Sequence, residues 1–220
     1  MNAYMSKNVK FDSLKEILFA KKVNIETVEC DVCTTKCLVH SKSNTVVMTP
    51  NQDIEEYMIT SGYDIHTLNS KFGGQRDVLF SHNSKHIWIG SGYHTSDSTI
   101  ETLRTIFDAT IHKLNLTDDS FCYLDMCFCP LNDDKVLMFS NSFDDESVRE
   151  IRNVYERNNI IEVSRKDALG GVCNALSIDN NVVMNNPSWA LIDELDSHNI
   201  NIESCKLSCG VKSSVLISQV

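Results

Sequence analysis

The chain contains 220 residues, of which 42% are hydrophobic and 23% are charged, a composition that supports a folded core of ordinary size. Its formal net charge of −10 and its scattered basic residues disfavour a nucleic-acid backbone as a partner, and no apolar run reaches the length of a membrane span. The N-terminus lacks the apolar segment of a signal peptide. We therefore expect one domain over residues 1–220 in the cytoplasm, bound neither to nucleic acid nor to a membrane. The sequence leaves the oligomeric state open.

The predicted elements follow one another in a repeated order. Helices are predicted at 11–21, 52–60, 98–114, 144–157 and 187–197. Strands are predicted at 23–28, 45–48, 64–68, 78–80, 86–89, 123–129, 135–139, 160–163, 172–178, 181–184, 200–203 and 213–217. The unit strand–strand–helix–strand recurs about four times, at a spacing of roughly 45 to 50 residues. Because a closed ring leaves no sheet edge exposed, this repeat predicts an α/β propeller rather than an open sheet.

Five segments carry a resemblance to a known family. In chain order they read FGGQRD at 72–77, IGSGYHT at 89–95, YLDMCFCPL at 123–131, DAL with CNA within 167–175, and GVKSSVL at 210–216. They resemble motifs of the guanidino-modifying, amidinotransferase-like enzymes, the pentein superfamily. The resemblance implies a pentein-like α/β propeller of repeated ββαβ units around a central site. The segment before Val23 is short, so the N-terminal unit looks shortened, or completed by the C-terminus.

The resemblance also implies the parts of a site. In that family a cysteine thiolate attacks the guanidinium carbon, a histidine moves protons, and two carboxylates bind the planar cation through paired hydrogen bonds. The carboxylates match Asp77 and Asp125 in this chain. The nucleophile position holds Ser213, or Ser214 if the alignment slips by one residue, and the histidine position holds Tyr123.

Three more positions come from the same segments. Gln75 stands where the family loop has a glutamate, Asn174 lies in the CNA segment, and His94 stands where the family has an arginine. Gln75 and Asn174 are predicted to line the ligand site with the two aspartates. The alternative for Asp77 and Asp125 is that each caps a helix or a turn and does not face a ligand.

The substitutions at positions 123 and 213 bear on activity. A serine hydroxyl is not ionised at neutral pH without a base, and a tyrosine with a pKa of about 10 is a poor base. In serine proteases, the loss of nucleophile or base costs on the order of a millionfold in rate. We therefore expect a catalytically inactive pseudoenzyme, without a cofactor, that binds arginine, a related guanidino cation or a protein partner.

An active enzyme is the alternative. Cys209 lies four residues before Ser213 and would serve as a relocated nucleophile, with His94 as its base. The chain would then be a guanidino-compound hydrolase or amidinotransferase. The competing interpretation makes Cys209 an ordinary loop cysteine and His94 a partly exposed polar residue.

A third interpretation concerns metal. Cys30, Cys33, Cys37 and His40 form the pattern C-x2-C-x3-C-x2-H, whose three thiolates and one imidazole suit tetrahedral zinc in a zinc or redox module. The intervening residues look strand-like, which would send alternate side chains to opposite faces. We therefore expect structural cysteines at these positions and no metal.

Overall fold

The computed structural model describes residues 1–6, 12–28, 36–178, 180–207 and 216–219. The strands are β1 (Asn2–Ser6), β2 (Asn24–Val28), β3 (Cys37–His40), β4 (Thr45–Met48), β5 (Asp64–Thr67), β6 (Val78–Phe80), β7 (His86–Ser91), β8 (Thr110–Asn115), β9 (Phe128–Pro130), β10 (Val136–Met138), β11 (Ile160–Glu162), β12 (Leu176–Ile178), β13 (Asn181–Asn185), β14 (Asn201–Cys205) and β15 (Leu216–Gln219). The α-helices are α1 (Asp12–Ala20), α2 (Gln52–Thr60), α3 (Asp97–Ile106), α4 (Asp145–Val154), α5 (Arg165–Leu169) and α6 (Trp189–Ser197).

Four units share one topology. In each, two strands form an antiparallel hairpin, and a third strand returns parallel to the second after a helix; parallel strands require such a crossover. The units are β3-β4-α2-β5, β6-β7-α3-β8, β9-β10-α4-β11 and β12-β13-α6-β14. The predicted α/β architecture of repeated ββαβ units is confirmed.

A fifth unit combines the two ends of the chain. β1 and β2 are parallel strands joined by α1, and β15 pairs antiparallel with β1, so the C-terminus supplies the missing hairpin strand. β15 also runs parallel to β3 and joins this unit to the next in one six-stranded sheet. The unit at the N-terminus is thus completed by the C-terminus, one of the two arrangements that the sequence suggests.

Side-chain caps set the starts of the helices. The side chains of Asn51, Ser96, Asp144 and Ser188 each accept a hydrogen bond from the backbone N–H three residues ahead, at 3.3, 3.4, 2.8 and 3.3 Å. Such caps satisfy amide groups that the first helical turn leaves without partners. Local sequence therefore fixes where these four helices begin.

Three predicted elements are wrong in their extent, and one of them, the strand predicted at 172–178, is confined to Leu176–Ile178. The predicted helix at 98–114 ends at Ile106, and the residues that follow form β8, which pairs in parallel with β7 over six positions. Sheet pairing overrides helical periodicity there. The predicted strand at 123–129 begins instead with a 3-10 turn, Leu124–Met126, before β9. This turn carries Asp125 into the site.

Buried side chains fill the space between the units. The largest apolar cluster joins residues of β7 to β13 with the intervening helices, and it includes Trp88, Phe121, Phe128 and Cys173. Within the described part of the chain, no helix has the length and apolarity needed to cross a membrane.

Candidate functional site

Two short loops build the site. Each consists of a 3-10 turn, Gly74–Arg76 in one and Leu124–Met126 in the other, directly before the first strand of adjacent units, β6 and β9. Gly74 begins its turn at φ +61°, a conformation that favours glycine. Because both loops lie at the same end of their hairpins, they bring Asp77 and Asp125 together.

Asp77 accepts hydrogen bonds from neutral donors, a hydroxyl and a backbone amide. It is 1% exposed; its Oδ2 accepts from Thr95 Oγ1 at 2.8 Å and its Oδ1 from the backbone N–H of Leu124 at 3.0 Å. Burial raises the pKa of Asp77 to about 7, although both hydrogen bonds act in the opposite direction. Asp77 also caps the turn that contains Asp125, so the predicted alternative of a capping role describes part of what it does.

Two glycines leave room for this carboxylate. A Cβ added at Gly73 would overlap the Asp77 side chain, and one added at Gly90 would lie 3.1 Å from Asp77 Oδ1 and 2.8 Å from the Cβ of Leu124. Gly73 of the first motif and Gly90 in β7 are therefore explained by close packing around Asp77.

Asp125 binds a guanidinium. It is fully buried, and Arg76 donates to it through two bonds, Nε to Oδ2 and Nη2 to Oδ1, both at 3.0 Å. Asn174 donates a further hydrogen bond from its side-chain amide to Oδ2. A planar guanidinium and a carboxylate form this paired geometry with high specificity. The two oxygens of Asp125 are thus oriented for a guanidinium group.

One aromatic ring covers the cation, and a second ring stacks on the first. The Cζ atom of Arg76 lies 4.1 Å from the centre of the Tyr123 ring, and His94 stacks on that ring at 4.1 Å and 13°. Burial raises the pKa of Tyr123, which keeps its hydroxyl protonated at neutral pH. Burial, together with the charges of Arg76 and Lys71, lowers the pKa of His94, which favours its neutral, proton-accepting form.

Gln75 connects the site loop to the end of the chain. Its side chain is 1% exposed, and its Oε1 accepts a hydrogen bond from the backbone N–H of Ile217 in β15 at 2.8 Å. It also lines a cavity of about 440 Å³ together with Phe80, His82 and Gln219, and none of the other predicted site residues that the structure describes lies along this cavity. The C-terminal strand therefore lies beside the residue that neighbours Arg76.

The predicted nucleophile positions lie outside the described residues. These are Ser213, its neighbour Ser214, and the relocated candidate Cys209. The structure does bring together the other predicted positions, namely Asp77, Asp125, Asn174, Tyr123 and His94.

The predicted metal pattern is only partly described. Cys30 and Cys33 lie outside the described residues. Cys37 is buried in an apolar cluster, and the ring nitrogens of His40 face Ser43 Oγ at 2.7 Å and Ser84 Oγ at 3.4 Å. Among the residues that the structure describes, no three His, Cys, Asp or Glu side chains are grouped as metal ligands would be.

Sequence reasoning missed two residues of the site. Arg76 stands inside the first motif, directly before Asp77, and an extra cation beside a predicted cation-binding aspartate is the signal that identifies it. Cys122 precedes Tyr123 and is partly exposed, whereas Cys37, Cys127 and the other described cysteines are buried. Cys122 interacts electrostatically with Arg76. It is the accessible thiol at this site within the described ranges.

Comparisons with known proteins support the architecture. The chain is 29% identical over 143 residues to the bifunctional arginine dihydrolase/ornithine cyclodeaminase AgrE of Nostoc sp., an alignment that covers 64% of this chain and 20% of that protein. It superposes on the N-terminal domain of ArgZ, covalently bound to a reaction intermediate, with a TM-score of 0.87 and 19% identity over 98% of this chain and 96% of that one. SxtG, an amidinotransferase from Microseira wollei, gives a TM-score of 0.75 at 13% identity, over 93% and 80% of the two chains.

The chain has the pentein fold. This confirms the fold that the five segments predict. No model of a known protein family matches the sequence. The alignment with AgrE spans only about a fifth of that relative's length.

The same comparisons overturn our prediction of a catalytically inactive pseudoenzyme. The proteins similar to this chain include the bifunctional arginine dihydrolase/ornithine cyclodeaminase AgrE, and the N-terminal domain of ArgZ is seen covalently bound to a reaction intermediate. The prediction relied on Tyr123 and Ser213 as the positions that must carry the chemistry. It gave too little weight to other groups, such as a thiol near the site or a neutral imidazole at position 94. The predicted alternative, an active guanidino-compound enzyme, fits the comparisons better.

Proposed function

We propose that this chain is an enzyme that hydrolyses the guanidino group of arginine or a close analogue. The observation that carries the proposal is the paired contact between Asp125 and a guanidinium in the interior of the site. A fully buried carboxylate held by Asn174 offers a substrate guanidinium the same two acceptors. The likeness to ArgZ and AgrE supports arginine as the first substrate to test.

A thiolate would begin the reaction by attacking the guanidinium carbon. Cys209 is the proposed nucleophile, and Cys122 is the second candidate because it is an accessible thiol beside Tyr123. His94, neutral at physiological pH, would take the thiol proton. Asp125 would hold the cation in place, and Asp77 would bind the second loop in its active arrangement.

The bonds and protons balance as follows. A C–S bond forms, the C–N bond to one terminal nitrogen breaks, and ammonia leaves with the proton taken from the thiol. Water then attacks the thiouronium carbon, the C–S bond breaks, and the thiol is restored. Arginine plus water gives citrulline plus ammonium. The reaction uses side chains and water alone, without a cofactor.

The direct test is to incubate the purified protein with L-arginine and to follow ammonia, citrulline and ornithine. We expect ammonia release that Cys209→Ala abolishes and Cys122→Ala leaves intact; the reverse pattern assigns the attack to Cys122. No turnover of arginine, agmatine or methylguanidine would contradict the proposed function.

A second variant distinguishes two reasons for a low rate of hydrolysis, namely a poor nucleophile and a failure to bind the substrate. Ser213→Cys places a thiol at the position that the family motif assigns to the nucleophile. We expect it to raise the rate of ammonia release, because a thiol is partly ionised at neutral pH and a serine hydroxyl is not. An unchanged rate would mean that position 213 does not face the bound guanidinium.

We further propose that residues 1–220 act as one domain in the cytoplasm, with neither nucleic acid nor a membrane as a partner. The chain has nine cysteines, an odd number that cannot all pair with one another, and Cys122, Cys127 and Cys205 carry free thiols, which suits a reducing compartment. The formal charge of −10 suits a cationic small molecule better than a nucleic acid.

A further inference from the structure

The guanidinium on Asp125 belongs to the protein itself. Arg76 reaches the carboxylate through Nε and Nη2, and its Cζ lies over the ring of Tyr123 at 4.1 Å. A paired hydrogen bond to a buried carboxylate and an aromatic face against the cation are what a guanidino ligand needs from a protein site. Every element of that recognition is already satisfied by Arg76.

We propose that Arg76 is an internal occupant of the guanidinium position, and that a guanidino ligand binds only by displacing it from Asp125. The part that concerns catalysis rests on the function proposed above; the part that concerns binding does not. Arg76 would thereby set both the affinity of the site and its selectivity.

The exposure of the two partners indicates which of them can leave. The Arg76 side chain is 16% exposed, whereas Asp125 is fully buried. Arg76 is therefore the partner nearer to solvent, and its long side chain can turn outward while the carboxylate remains fixed by Asn174. A charged ligand that takes its place leaves the charge of the site unchanged.

Displacement lowers the apparent affinity in a predictable way. The observed dissociation constant equals the intrinsic one divided by the fraction of molecules in which Asp125 is free of Arg76. The same competition selects against ammonium ligands, because an amine cannot replace two parallel N–H donors. Arginine-like ligands would bind and lysine-like ligands would not.

Chemical rescue tests the occupancy. The Arg76→Ala variant leaves both oxygens of Asp125 open to a ligand, and alanine, unlike glycine, does not loosen the backbone. We expect millimolar methylguanidinium to bind there and to raise the melting temperature of this variant by about 3 °C or more. Methylammonium should not do so, and wild type should respond to neither. Arg165→Ala is the matched control, because Arg165 contacts Asp118 in an exposed pair. Equal shifts in all three proteins would overturn the proposal.

Calorimetry with L-arginine gives the second readout. We expect Arg76→Ala to bind about tenfold more tightly than wild type, or better; equal or weaker binding would overturn the proposal. If Arg76→Ala does not fold, Arg76→Lys keeps the charge without the paired donors and should also bind more tightly than wild type. If methylguanidinium stabilises Arg76→Ala but no substrate is hydrolysed, only the proposed hydrolase function is contradicted. If arginine is hydrolysed but methylguanidinium does not stabilise Arg76→Ala, only the proposed occupancy by Arg76 is contradicted.

Discussion

The loops that carry Asp77 and Asp125 have the same backbone arrangement, but the two buried carboxylates accept hydrogen bonds from different kinds of donor. Both place an aspartate at or after a 3-10 turn, and both aspartates are at most 1% exposed. Asp77 receives hydrogen bonds from a hydroxyl and an amide, and burial raises its pKa to about 7. Asp125 receives a guanidinium. The comparison teaches that a neighbouring cation, and not burial alone, decides which carboxylate is fit to hold a charged ligand.

The largest expected effect separates the two aspartates by stability. Asp125→Asn removes the charge that pairs with Arg76 and breaks its charged hydrogen bonds, so we expect a loss of about 2 kcal/mol or more in the free energy of unfolding even when Arg76 turns toward solvent. Asp77→Asn loses a hydrogen-bond acceptor for a neutral donor, at about 1 kcal/mol, but it also removes the cost of ionising a buried carboxylate, so we expect no net loss at neutral pH. Urea unfolding at neutral pH measures both. Equal losses would mean that the two carboxylates contribute equally to stability, which would contradict the distinction drawn between them.

The next effect concerns pH. Because the folded pKa of Asp77 is raised above its unfolded value, its stabilising contribution is greatest below the unfolded pKa and is lost as pH rises through about 7. Through this group alone, stability should fall by up to about 1.4 kcal/mol per unit between about pH 5 and pH 7.

The control for that pH dependence is Asp77→Asn. All other titrating groups remain in this variant, so their contributions cancel when its free energy of unfolding is subtracted from that of wild type at each pH. Wild type minus variant should show the decline in the free energy of unfolding as pH rises. A flat difference would show that Asp77 titrates with an ordinary pKa.

The smallest effect tests the aromatic cover of the site. Tyr123→Phe keeps the ring that stacks on His94 and faces Arg76, so we expect a change within about 0.5 kcal/mol. Tyr123→Leu loses the aromatic face and should cost about 1–2 kcal/mol. Thermal unfolding compares the two. A larger loss in Tyr123→Phe than in Tyr123→Leu would assign the role to the hydroxyl.

Much of the architecture was predictable because it is encoded locally. Caps such as Ser96 and Asp144 mark helix starts, and the ββαβ period implies a ring. β8 was not predictable from its own residues, since pairing with β7 overrides the helical pattern at 98–114. The completion of the first unit by β15 depends on a contact between the chain ends.

The site divides in the same way. Motifs identified Asp77, Asp125 and Asn174, because recognition of a planar cation demands particular residue types at particular positions. Arg76 escaped notice because its role depends on the direction of its side chain, which only the meeting of two loops determines. Motif substitutions alone also gave the wrong expectation about activity.

The measurement that tests the account most directly is a crystal structure of Cys209→Ala with L-arginine bound. The account predicts that the ligand's guanidinium occupies both oxygens of Asp125 and that Arg76 has turned toward solvent. A structure in which Arg76 keeps its place on Asp125, with arginine bound elsewhere or not at all, would contradict it.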